Sequence, residues 1–98
     1  MVTKAIFAKI TAKEGKEKEV EEFLRSAKGL ILEEEGTINW YAVKIGELEY
    51  GIFDTFQDNT GRLEHLHGKV AKALVERAPD LFMAMPNIER FDIIADNN

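Results

Sequence analysis

The sequence contains no cysteine. That excludes disulfides and thiolate metal sites and fits a reducing compartment, so a cytoplasmic location is expected. It contains no basic run, and its net charge is -5. Non-specific binding to nucleic acid needs a basic face, so no such partner is expected. Long apolar runs are also missing. Met1 to Ile10 is short and interrupted by Lys4 and Lys9, which suits neither a signal peptide nor a membrane span. There are only two histidines. They stand at i and i+2, which point apart on a helix, so no metal site is expected. There is no internal repeat and no low-complexity segment.

What remains is an ordinary globular balance, 45% apolar and 32% charged over 98 residues. One domain is expected over residues 1–98, burying roughly 60–70% of its unfolded surface. Residues 96–98 are expected to fray.

The hydrophobic pattern changes period along the chain. Val2 to Thr11 alternates and predicts a first strand, with a turn at Gly15. From Lys16 to Glu35, Val20, Phe23, Leu24, Ala27, Leu30 and Ile31 form a helical stripe opposite a charged face. A close contact at Gly29 and a left-handed stop at Gly36 are expected. Thr37 to Ile45 and Leu48 to Phe56 read as strands, joined by a two-residue turn at Gly46-Glu47. The third strand carries apolar bulk on both faces. One layer of helices covers only one face, so a second copy of the chain is expected on the other. Asp58 or Thr60 caps a helix whose stripe is Leu63, Leu66, Val70, Ala71 and Leu74, with Pro79 ending or kinking it. A short turn over Asp80 to Met85 and a strand over Ile88 to Ala95 follow. The order βαββαβ predicts a ferredoxin-like α+β fold, an antiparallel sheet with two helices on one face. That topology hosts many functions and selects none.

Three stretches carry a family likeness. Ala8-Lys9-Ile10-Thr11 with Lys13-Glu14-Gly15-Lys16-Glu17 resembles the opening of the antibiotic-biosynthesis-monooxygenase domain family. Gly51-Ile52-Phe53-Asp54-Thr55-Phe56, then Asp58, Gly61-Arg62 and His65-Leu66, is similar to a branch of that family. The resemblance implies a homodimer in which two ferredoxin-like sheets form an α/β barrel. It implies cofactor-free oxidation of an aromatic polyketide or quinol by molecular oxygen, haem binding and degradation, or, as for many members, no known activity. The haem branch has an asparagine, a tryptophan and a histidine where Ala8, Phe56 and the Leu74-Val75 region stand here, so haem degradation is not expected.

Oxidation by oxygen without a cofactor needs a base, a group to hold the substrate anion, and a dry apolar pocket. His67 is the first candidate base. In one continuous helix it projects roughly 40° from Leu63 and about 20° from Leu74, on the inner edge. His65 projects to the far side, yet it is the histidine that the resemblance marks. Asp54, between Ile52 and Phe56 on its strand face, calls for a partner or a raised pKa, and Arg62 across the turn is the expected partner. A structural ion pair and a catalytic carboxylate both fit that pattern. Trp40, Tyr41, Tyr50 and Phe56 are candidate stacking surfaces for a flat substrate, and equally plain core residues. Met83 and Met85 beside Pro86 suit either a lid or ordinary packing. The alternative function is a non-catalytic dimeric module that binds a small ligand or a protein.

Overall fold

The computed structural model describes residues 1–98. Strands β1 (Lys4–Thr11), β2 (Thr37–Lys44), β3 (Glu49–Phe56) and β4 (Asn87–Asp92) form one antiparallel sheet in the order β2-β3-β1-β4. Helices α1 (Glu17–Ile31), α2 (Asn59–Leu66) and α3 (Lys69–Leu81) cover one face. The ferredoxin-like pattern holds, with the second helix divided in two.

The core lies between helices and sheet. Helix α1 turns Val20, Phe23, Leu24, Ala27 and Ile31 inward, and α3 turns Val70, Leu74, Ala78 and Leu81. They meet Ala8 and Ile10 of β1 and Tyr50 and Ile52 of β3. Each fully buried large aliphatic side chain contributes about 1.5–3 kcal/mol. Register sets the faces: Ile6 pairs with Asp54, and Asp54 with Trp40, so all three point toward the helices. Phe7, Phe53 and Tyr41 point the other way by the same register.

Several local expectations are corrected. The second helix breaks at His67-Gly68, which cap α2 and α3 respectively. Pro79 does not end α3. It removes one backbone donor, and the helix continues to Leu81. Only Gly15 has positive φ, at 87°. The Gly46-Glu47 turn is therefore not of the two-residue kind that needs a left-handed glycine. It is a wider loop closed by the Ile45 N–H on the Glu49 carbonyl. Gly29 is exposed with nothing near it, and α1 ends before Gly36. Gly36 serves instead for close approach: a Cβ there would lie 3.0 Å from Gly61 Cα. The last strand ends at Asp92, and Asn98 Nδ2 donates to Asn39 Oδ1 at 2.9 Å.

Candidate active site

Three segments converge on His65. Asp58 caps α2 by accepting the Gly61 N–H at 2.9 Å, which fixes the helix start directly after β3. The Gly36–Gly61 contact lets the loop after α1 lie backbone to backbone on α2. Gly68 lets the chain turn close by, since a Cβ there would sit 3.0 Å from Glu34 Oε2 and 3.3 Å from the His65 carbonyl. These approaches place one imidazole between two carboxylates. His65 Nε2 lies 2.7 Å from Asp54 Oδ2, and Nδ1 lies 2.6 Å from Glu34 Oε1. Glu34 Oε1 also accepts the Thr37 hydroxyl at 2.8 Å. The Asp54 contact is close but poorly aligned, so it is an ion pair that leaves Oδ2 short of a directed hydrogen bond.

The cluster is buried. Asp54 is 1% exposed, and Phe56, fully buried, lies against the imidazole with centroids 5.3 Å apart. Burial pushes the Asp54 carboxyl up, and the nearby His65 only partly opposes this. Burial pulls His65 down, but its close contact with Asp54, and then that with Glu34, outweighs it, so His65 is raised. The imidazole is held between two carboxyl groups, and the His65–Asp54 pair titrates as a unit.

Asp54 and His65 border an apolar pocket of about 150 Å3 between sheet, α2, α3 and the Met85-Pro86 turn. Ten of its thirteen lining residues are hydrophobic, among them Ile6, Ile52, Leu74 and Val75. A larger groove, about 360 Å3, lies between α1 and β2 over Trp40 and Tyr50. It contains no buried carboxylate or imidazole, and burial raises the phenol of Tyr50 further from neutrality, so the smaller pocket is the better place for proton transfer.

The other candidates fall elsewhere. His67 is exposed at the end of α2, its Nδ1 2.9 Å from the Leu63 carbonyl. Its expected inward position took Leu63 and Leu74 as one inner stripe, but Leu63 is itself 42% exposed, and the break at Gly68 separates α2 from the helix that carries Leu74. Arg62 does not pair with Asp54. Its guanidinium donates to the carbonyls of Ala5 and Phe91 and to Asn59 Oδ1, joining α2 to β1 and β4. The four aromatics do not share a site. Tyr50 donates its hydroxyl to Glu21 Oε2 at 2.8 Å, four positions from Asp54 along β3. Trp40 lines the α1–β2 groove, Phe56 supports His65, and Tyr41, 55% exposed, lies on the opposite sheet face. Met85, not Met83, borders the pocket. Glu34 was absent from the sequence reading. Its position before Gly36 was the only available signal.

The solved structure of NE2512, a protein of unknown function from Nitrosomonas europaea, is 40% identical, with a TM-score of 0.98, over 100% of this chain and 95% of that one. The chain belongs to the same family as NE2512. Its fold is that of the antibiotic-biosynthesis-monooxygenase domains. A second Nitrosomonas europaea structure, provisionally named an antibiotic biosynthesis monooxygenase, has a TM-score of 0.84 at 8% identity over 98% of this chain and 94% of that one. A Caulobacter crescentus structure with the same provisional name has a TM-score of 0.81 at 16% identity, over 96% and 92%. At those identities the likeness is one of fold. No family model and no curated protein sequence matches the chain. No helix is long and apolar enough to cross a membrane.

Proposed function

We propose that this NE2512 relative oxidises a small aromatic phenol or quinol with molecular oxygen and no cofactor. The observation that carries the reading is the buried Asp54 carboxylate, held 2.7 Å from His65 at the edge of an apolar pocket. Asp54 takes the hydroxyl proton of the substrate. Burial makes it a stronger base than a surface carboxylate. The His65 imidazolium, backed by Glu34, keeps positive charge beside the anion that forms. The anion then gives electrons to oxygen. A quinol loses two electrons and two protons, yielding quinone and hydrogen peroxide; an activated methylene takes one oxygen atom, and the other leaves as water. Asp54 returns its proton to the reduced oxygen species.

The residues do not suit haem. Ala8, Leu74 and Val75 offer no iron ligand, and both nitrogens of His65 face carboxylates. A homodimer through the open sheet face belongs to the same proposal. Tyr41, Val43 and Phe91 are exposed there, beside half-buried Phe7 and Phe53.

One observation favours a second reading. Both imidazole nitrogens are engaged, as in a purely structural clasp, and a clasp beneath an apolar pocket would make a non-catalytic binding module. Oxygen uptake separates the two. Metal-free protein should consume oxygen with methylhydroquinone and lose that activity in Asp54→Asn. Saturable binding of methylhydroquinone without uptake would establish the binding module.

A further inference from the structure

The pocket beside Asp54 is small. Its volume is about 150 Å3, whereas pockets for drug-sized ligands run to roughly 300–1,000 Å3. An apolar cavity of about 150 Å3 accommodates a single benzene ring. The inner walls cannot easily retreat. Ile6 and Ile52 are each 2% exposed, and Leu74, 7% exposed, belongs to the main core. Val75, Met85 and Ile88, all exposed, border the mouth. Charge restricts the occupant as well. Asp54 is the acidic group lining the polar end, and a second, Glu34, stands 2.6 Å from the far nitrogen of the same imidazole. A carboxylate or phosphate brought there would be stripped of water and repelled.

We propose that the substrate is a neutral single-ring quinol, one hydroxyl at Asp54 and its ring between Ile52 and Leu74, with a single-ring phenol filling the same place as a non-reacting analogue. Three-ring and carboxylated aromatics are excluded. This rests on the catalytic reading above and narrows it.

Calorimetric titration with 4-methylphenol, 4-hydroxybenzoate and anthrone tests the assignment independently of turnover. Binding of 4-methylphenol should be saturable and at least tenfold tighter than that of the other two. Leu74→Ala, which opens the inner wall, should raise the affinity for 2-naphthol relative to 4-methylphenol at least tenfold. Should that variant fail to fold, Val75→Ala at the mouth provides the same comparison. Anthrone or 4-hydroxybenzoate binding as tightly as 4-methylphenol overturns the inference, as does no saturable binding of 4-methylphenol. Binding of 4-methylphenol with no oxygen uptake from methylhydroquinone removes the catalytic reading and leaves the ring-size and charge selection standing. Oxygen uptake with anthrone at the kcat/KM of methylhydroquinone does the reverse.

Discussion

His65 Nε2 lies 2.7 Å from Asp54 Oδ2, and the two side chains are 9% and 1% exposed. The contact joins α2 to the central strand β3, and through Glu34 it reaches the loop after α1. Removing the imidazole would leave two carboxyl groups facing each other with no cation between them. His65→Ala should therefore destabilise the fold by about 3–5 kcal/mol, the range for breaking a buried pair. Urea denaturation checks this. Asp54→Asn, isosteric and uncharged, should cost less than His65→Ala in the same experiment.

The same pair sets a pH dependence of stability. Both pKa values are raised, so the folded state binds more protons than the unfolded chain in the windows between ordinary and folded values. The contribution of His65 is fully present below its ordinary value of 6.5 and is lost as pH rises through its higher folded value. For Asp54 the loss begins earlier, above 3.8. Stability measured by urea denaturation should fall as pH rises from 6.5 into the alkaline range. His65→Gln should flatten that slope. An unchanged slope in the variant would remove His65 as its source.

Gly36 and Gly61 meet backbone to backbone, and a Cβ at Gly61 would lie 3.1 Å from the Gly36 carbonyl oxygen. Main-chain atoms have little room to give. Gly61→Ala should cost about 1–3 kcal/mol by overpacking. It should also move Glu34 relative to His65, visible as a shifted His65 titration in proton NMR. Gly29→Ala has open space around it and should stabilise α1 by up to about 1 kcal/mol.

His67→Ala tests the choice between histidines. The side chain is exposed and contacts a helix-end carbonyl. Stability should change by less than about 1 kcal/mol, and any oxygen uptake should be unaffected.

Much of the fold was legible in the pattern. The α1 stripe at Val20, Phe23, Leu24, Ala27 and Ile31 is buried as its spacing predicts, and the two-period alternation of β3 puts Asp54 on the helix side. Residue chemistry singled out Asp54 correctly as a buried carboxylate needing a partner. The identity of that partner was not legible. Arg62 is nearer in sequence, but its guanidinium found the carbonyls of β1 and β4. The wheel that favoured His67 took Leu63 as an inner residue, which it is not, and assumed an unbroken helix. A single glycine at position 68, with no proline beside it, was too weak a break signal to reset the count. Glu34 stayed hidden for a different reason: its role depends on two glycines, Gly36 and Gly61, meeting across 25 residues, and no local pattern encodes a tertiary contact.

The most direct test is kcat/KM for oxygen uptake with methylhydroquinone, comparing the metal-free protein with Asp54→Asn and His67→Ala. A positioned general base contributes roughly 10²–10⁴-fold. Asp54→Asn should therefore lose at least about a hundredfold while still binding substrate, and His67→Ala should match the parent. Full activity in Asp54→Asn, or activity lost only in His67→Ala, would contradict the assignment of Asp54 and His65 as the working pair.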